Sequence, residues 1–346
     1  YIQEIENTGK YIVFVRPRRF GKSLLISMLE TYYDIDEEKN FEKYFGKLAI
    51  FQAPTELRNR YLILNLDFSK VSSTGTVKEI EQNFHNYCNS SYKEFALKYK
   101  ERLRTEIEIN KHDSLASFNS LITAVKYSGY KLYVLVDEYD NFANELLSKE
   151  KAEYEQLVKG QESIFKHFFK ILKSATDMEG GPLKKLFITG VTPMVMFDVT
   201  SGFNIGDFAT NNPHLNSMLG FTKEEVAQIL EYYEIEPDFE LLNSWYDNYR
   251  FSEDVEERIY NSDMIWHYVK SWVYIGRPPK ELADLNIRTD YGKLRWLVYT
   301  GKKLNGNFNV LEKVINGETI TTSKIKDAFS AFELIDEDNF ISLMYY

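Results

Sequence analysis

The sequence predicts an α/β fold in which a parallel sheet is covered by helices, and three observations carry that expectation. Short apolar runs recur through the first two thirds of the chain: YIVFV at 11–15, YLILNLDF at 61–68, KLYVLVDEYD at 131–140 and KKLFITGV at 184–191. They are apolar throughout rather than alternating, as strands buried on both faces are. Stretches of helical spacing separate them, at 22–33, 76–104, 114–127 and 153–175, and such strand–helix alternation builds parallel sheets. Finally, the first run passes straight into a tight loop, RPRRFGKS at 16–23, and then into a helix whose apolar stripe is Leu24, Leu25, Met28, Leu29 and Tyr32.

Composition narrows the class. A chain of 346 residues, 44% hydrophobic and 15% aromatic, can bury a large core in two or three domains. With 8 prolines and 17 glycines it is no low-complexity chain. Its 42 basic and 52 acidic residues give a net charge of -10, which speaks against indiscriminate binding of nucleic acid. Cys88 is the sole cysteine, so neither an intrachain disulfide nor a cysteine-built metal site can form, and a reducing, cytoplasmic setting is expected. No apolar run is long enough to span a membrane, and no signal peptide opens the chain. The first residue is Tyr1 rather than methionine, as expected of a segment cut from something longer.

After Leu219 the pattern changes. Thr222 with Glu225 three residues on reads as a capping box opening a helix, and further helices are expected at 237–248 and 261–273. The expected division is 1–219 for the sheet domain, 220–276 for a compact helical unit and 277–346 for a small tail domain. In the tail, helices are expected at 279–284, 290–300 and 321–333, followed by NFISLMYY as a strand; this order suggests a winged-helix-like domain.

The loop is the first candidate site. A strand, a tight loop and a helix are the setting in which GKS carries meaning, because a helix N-terminus offers unpaired N–H groups and positive dipole character to phosphate oxygens. Lys22 would reach the β and γ phosphates and the Ser23 hydroxyl would ligate Mg²⁺, while Gly21 allows close backbone approach. The usual pattern G-x-x-x-x-G-K-[S/T] has glycine where this chain has Arg16, followed by Pro17. Arg16, Arg18, Arg19 and Phe20 make the loop basic and bulky, so the arginines either supplement phosphate binding or hold an acidic partner.

The second candidate is the strand ending in Asp137 and Glu138. In Mg–nucleotide hydrolysis one acid holds the metal through water and the next polarises the attacking water, roles expected of Asp137 and Glu138 respectively. Asp140 either anchors an arginine of the loop or caps the following turn. Thr189, ending the fourth strand, either orients the lytic water or is a satisfied core residue.

Taken in order, RPRRFGKSLLISMLETYY at 16–33, YLILNLDFS at 61–69, LVDEYDNF at 135–142, LFITGVTP at 186–193, LGFTKEEV at 219–226, WYDNYRF at 245–251 and IYNSDMIWHYV at 259–269 resemble the AAA-ATPase-like family of P-loop proteins. Many of its members also carry a PD-(D/E)xK nuclease-like domain. RPRRFGK is that family's own loop pattern, which accounts for Arg16. The resemblance implies a P-loop NTPase that binds ATP with Mg²⁺, a phosphate loop from Arg16 to Ser23, a Walker-B-like pair in Asp137 and Glu138, a first sensor near Thr189, a helical lid over about 221–276 and a winged-helix tail. Arg250 and Arg277 are candidates for a second sensor by position only. No carboxylate followed by E-x-K stands late in the chain, so nuclease activity is not assigned.

The remaining features are weaker. His85, His112, His167, His214 and His267 show no metal-ligand spacing. The mixed-charge stretch at 92–112 reads as a solvated amphipathic helix rather than a nucleic-acid surface. SGFNIGDFATNN at 201–212 is a connection that could lie near the nucleotide or a partner. The functions expected are an Mg-dependent ATPase acting as a switch for an attached or separate effector, or a nucleotide-holding module with little turnover that contacts DNA or protein. The partners foreseen are the nucleotide and a protein effector or neighbouring subunit; the net charge argues against DNA, and no membrane is expected.

Overall fold

A computed structural model describes residues 1–149, 151–176, 180–199, 204–246, 249–281, 297–300, 303–322, 325–326, 329–330, 333–334 and 336–345. Five strands, β1 (Tyr11–Val15), β2 (Leu62–Asp67), β3 (Leu132–Asp137), β4 (Leu183–Gly190) and β5 (Asp207–Phe208), form one parallel sheet in the order β2-β3-β4-β1-β5. The chain leaves β1, crosses to the far edge at β2 and steps back through β3 and β4. The crevice at the carboxyl ends beside β1 is therefore a topological switch point, where open α/β sheets bind ligands.

Both faces of the sheet are apolar and covered, which is why its strands do not alternate. Val13, Leu64, Val134 and Ile188 face one core with helices Val77–Lys98, Ser114–Ser128 and Ile164–Ser174. Ile12, Phe14, Ile63, Leu135 and Phe187 face the other, with α1 (Ile2–Thr8) and α2 (Lys22–Tyr33). Each such side chain taken fully out of water contributes about 1.5–3 kcal/mol.

Local signals set most helix starts. Thr76 and Glu79 make a reciprocal capping box at Val77, and Thr222 with Glu225 makes another at Lys223. Helix Val77–Lys98 stops short of the expected 104. The helix expected over 153–175 is interrupted: a π-helical turn at Glu155–Lys159 runs to Gly160, and Ser163 caps a fresh start at Ile164. A Cβ at Gly160 would lie 2.9 Å from the Glu155 carbonyl oxygen, so glycine lets that turn close.

Helices Lys223–Tyr232, Phe239–Trp245 and Ser262–Ile275 share a core of their own, including Val226, Leu230, Leu242, Tyr246, Ile265, Tyr268 and Val269. Bridges Phe221↔Tyr260 and Tyr249↔Ile259 tie its entry to its middle. The tail departs from expectation. Much of the helices expected at 279–284, 290–300 and 321–333 falls outside the described residues; among the described ones, 321–322, 325–326 and 329–330 are not helical, and Tyr299–Thr300 pairs with Lys303–Leu304 as a hairpin. A helix not foreseen lies at Asn307–Ile315, and the expected terminal strand is a helix, Glu337–Tyr345. The reason is Asp336, whose carboxylate accepts the Asn339 N–H at 3.0 Å and so caps the first turn. Phe340 and Ile341 then fall on one face against Val310. Among the described residues no helix is long and apolar enough to cross a membrane.

Candidate active site

The loop after β1 continues the sheet for one bond, from the Arg16 N–H to the Gly190 carbonyl at 3.1 Å, and then turns away. Two of its residues take left-handed backbone, Arg19 at φ 70° and Gly21 at φ 99°. Gly21 is the residue that the shape demands: a Cβ there would meet only Leu219 Cδ2 at 4.0 Å, so conformation, and not space, requires glycine. The Leu25 N–H bonds to the Gly21 carbonyl at 3.0 Å, which starts α2 and leaves the N–H groups of its first turn facing the loop.

Lys22 opens α2 and is only 4% exposed. Its Nζ donates to the Pro17 carbonyl at 3.2 Å and lies 3.6 Å from Glu138 Oε1. The loop thus folds over its own lysine, which meets the acid at the end of β3. Asp137 ends that strand, accepts the Glu138 N–H at 2.9 Å and lies close enough to the Ser23 side chain for it to lower the carboxyl's proton affinity. Glu138 leaves the strand at φ 50°, an uncommon backbone for a non-glycine residue and one found at functional turns.

Burial raises the proton affinity of both acids. For Asp137 it is opposed chiefly by the Ser23 hydrogen bond; for Glu138 it is opposed by the Lys22 charge and reinforced by Asp140. A carboxylate whose proton affinity rises is a better general base when ionised.

Asp140 resolves one open alternative. It is buried, and its carboxylate accepts the N–H groups of Val191 (3.1 Å) and Thr192 (2.8 Å), the Thr192 hydroxyl (3.1 Å) and the Asn144 amide (3.0 Å). It therefore holds the turn that ends β4, with help from the Tyr139 hydroxyl donating to the Thr192 carbonyl. Glycine at 190 permits this approach, since a Cβ would lie 2.4 Å from Asp140 Oδ1. On the same strand end, Thr189 is fully buried and its hydroxyl has no hydrogen-bond partner among the described residues. It is thus not the satisfied core threonine that the sequence also allowed, and a buried polar group in that state is unusual.

Arg16 and Phe20 lie elsewhere than a nucleotide-facing loop residue would. Arg16 is 1% exposed; its guanidinium donates to the carbonyls of Val15 (3.0 Å), Thr210 (2.9 Å) and Leu215 (2.9 Å). It is flanked by the rings of Phe14 and Phe251 at 4.1 and 3.9 Å, a cation–π arrangement. Its side chain braces the loop from behind. Phe20 is buried against Leu219, Tyr249, Phe251 and Ile259. Arg18 and Arg19 are exposed, and the Arg18 charge is felt at Glu138. Arg250 and Arg277 are both exposed; the Arg277 carbonyl accepts the Ser271 hydroxyl.

Several contributors escaped the sequence reading. Within the 201–212 connection, Asp207–Phe208 is β5 and the Thr210 hydroxyl accepts the Val15 N–H at 3.0 Å. Phe251 and Asn261 reach the loop from a distant part of the chain. For Asn261 the available signal was its place before a helix, which marks a cap but says nothing of a second partner.

Lys22, Ser23, Asp137 and Glu138 together make a site that fits a Mg–nucleotide: a helix N-terminus for phosphate, and a hydroxyl and a carboxylate for a cation that takes few protein ligands. Comparison with curated proteins and with solved structures returned no match. A family model described as Predicted AAA-ATPase matches residues 1–200, a span that holds β1 to β4, the phosphate loop and the acids after β3, and the chain belongs to that family.

Proposed function

We propose that this protein binds ATP with Mg²⁺ and hydrolyses it to ADP and phosphate, and that turnover changes how the helical unit at 220–276 sits on the sheet domain, as a switch for an attached or separate effector. The observation that carries this reading is the meeting of Lys22 Nζ with Glu138 at 3.6 Å, which brings a candidate phosphate-binding cation at the start of α2 and a candidate base just after β3 to one point. Ser23 and Asp137 would hold Mg²⁺, which when bound would supply positive charge to the nucleotide's phosphates.

This chain's own residues do the rest. Lys22 turns from Glu138 to the γ phosphate and stabilises the charge that develops there. Glu138, released, orients a water and takes its proton as the water oxygen bonds to the γ phosphorus; the bond from that phosphorus to the bridging oxygen breaks and ADP leaves. Thr189, whose buried hydroxyl finds no hydrogen-bond partner among the described residues, is assigned the role of orienting that water or sensing the γ phosphate. ATP is preferred over GTP on the ground of family alone. In this reading 220–276 acts as the lid, in a cytoplasmic setting. A neighbouring subunit or a protein effector is the partner.

A second reading, a module that holds nucleotide with little turnover and contacts DNA or protein, draws on the exposed Arg18 and Arg19, while the net charge of -10 weighs against DNA. Phosphate release from Mg–ATP, measured beside ATP binding for the unmodified chain, Glu138→Gln and Lys22→Ala, separates the two. Turnover lost in both variants, with binding kept by Glu138→Gln, supports the ATPase. Tight binding without turnover in the unmodified chain favours the holding module, and absence of binding ends both.

A further inference from the structure

The family match ends at residue 200, yet the phosphate loop is held from beyond it. The first half of the loop lacks glycine, and its left-handed residue is Arg19, a conformation that costs a non-glycine residue about 1–2 kcal/mol. Something must over-determine that shape. Asn261 Nδ2 donates to the Arg18 carbonyl at 3.0 Å, and the Ser262 hydroxyl makes a longer contact of 3.5 Å to the Phe20 carbonyl. Two consecutive residues thus grip the carbonyls on either side of Arg19. A carbonyl oxygen turned into a phosphate site would repel the anion, so holding these two on the outer side favours a loop that presents N–H groups instead.

The same asparagine has a second task. Its Oδ1 accepts the N–H groups of Asp263 (3.0 Å) and Met264 (3.4 Å) and caps helix Ser262–Ile275, and the residue is 3% exposed. One rigid amide therefore fixes the loop to the start of that helix. Around it, Phe20 packs edge-on against Tyr249 and Phe251 at 4.9 and 5.5 Å. The receiving segment is set by buried Asn216, which accepts the N–H groups of Phe251 (2.9 Å) and Ser252 (3.2 Å) and donates to the Glu257 carbonyl (3.1 Å). Gly220 completes the seat, because a Cβ there would lie 3.0 Å from the Phe20 ring and 2.3 Å from Ile259 Cγ2.

We infer that Asn261 is a positioning residue of the phosphate loop, and that residues 249–262 form an outer wall of the nucleotide site that sets nucleotide affinity by setting the loop's shape. The inference rests on the ATP reading above and adds to it that nucleotide binding and the packing of helix Ser262–Ile275 are linked, each favouring the other by the same factor.

The test uses the full chain with Asn261→Asp and Asn261→Ser. Both keep an oxygen that caps the helix, and both remove the amide N–H that reaches the Arg18 carbonyl; the serine variant does so without adding charge, and its shorter hydroxyl is committed to the cap. Three quantities are read: the Kd and KM for Mg–ATP against kcat, the melting temperature, and amide hydrogen exchange over residues 18–23 in nucleotide-free protein. Both variants are expected to raise Kd and KM about tenfold, the loss of one well-made hydrogen bond, with kcat within about twofold, a melting temperature within a few degrees, and faster exchange over 18–23 but not over Val77–Lys98. Unchanged KM and exchange overturn the inference. So does a rise in KM confined to Asn261→Asp, which charge alone would explain, and so does faster exchange spread over the whole chain with a fall in melting temperature. If the unmodified chain does not bind ATP, the ATP reading fails, and the exchange measurement decides the loop contact by itself.

Discussion

The two halves of the phosphate loop are held by different means. From Gly21 to Ser23 the loop is the start of a helix, and its shape follows from one glycine dihedral and the first bonds of α2. From Arg16 to Phe20 it is held by side chains and carbonyls from residues 210, 215, 251 and 261. The first arrangement costs little and exposes the chemistry. The second buries a guanidinium and a phenyl ring, so the loop's frame is also a packing element of the fold. Arg16 shows why a glycine can be absent from its usual place: its side chain replaces backbone freedom with three directed hydrogen bonds.

This contrast makes stability and binding separable. Arg16→Ala should be the most damaging change, since it takes the guanidinium donor from three carbonyls and opens a cavity between Phe14 and Phe251. A loss on the order of 3–5 kcal/mol is expected in denaturant unfolding from the lost hydrogen bonds and the cavity, and a variant with unchanged stability would erase the distinction between the halves. Asp140→Ala, which strips the Val191–Thr192 turn of its acceptor, should cost about 2–3 kcal/mol and lower turnover through Thr189, read from the midpoint of unfolding and from phosphate release.

Gly21→Ala belongs to the other half. It should cost only about 1 kcal/mol in stability while reducing ATP affinity more than Arg16→Ala does relative to its unfolding cost. Equal ratios in the two variants would show that the halves act as one unit. Cys88 gives a direct probe of the same comparison. Burial pushes its thiol up to about 12, so at pH 8 it should react with a thiol reagent only when the chain opens. Labelling should accelerate steeply in Arg16→Ala and barely in Gly21→Ala.

The smallest effect lies outside the site and serves as a reference. His85 Nδ1 accepts the Ser114 N–H at 3.0 Å, and burial holds its proton affinity below the ordinary value of 6.5. The unfolded chain therefore binds this proton more readily than the native one, and stability falls as pH drops from 6.5 toward the depressed native value, with a slope of at most about 1.4 kcal/mol per pH unit. His85→Gln should remove that part of the slope without altering ATP affinity. If affinity moved with it, the helix at Val77–Lys98 would have to be counted among the loop's supports.

Much of this was legible along the chain. The strand Tyr11–Val15 and the helix Lys22–Tyr33 stand where the apolar run and the GKS spacing put them, because sterics and capping act within a few residues. The Thr222–Glu225 box is equally local. The terminal helix stands where a strand is expected because the aromatic-rich NFISLMYY favours either state, and an aspartate just before it tips the balance.

By itself, then, the sequence determined the parallel α/β core, the phosphate loop as a strand–loop–helix unit, and the acids that close β3, each written in periodicity or in adjacent residues. Only the tertiary structure decided that Arg16 would turn from the site to carbonyls 194 and 199 residues away, that Asp140 would hold a turn rather than an arginine, and that Asn261 would grip the loop across 243 residues. The physical reason is range: a dihedral or a cap is fixed by its neighbours, whereas a hydrogen bond between distant segments exists only once the sheet order has placed them side by side.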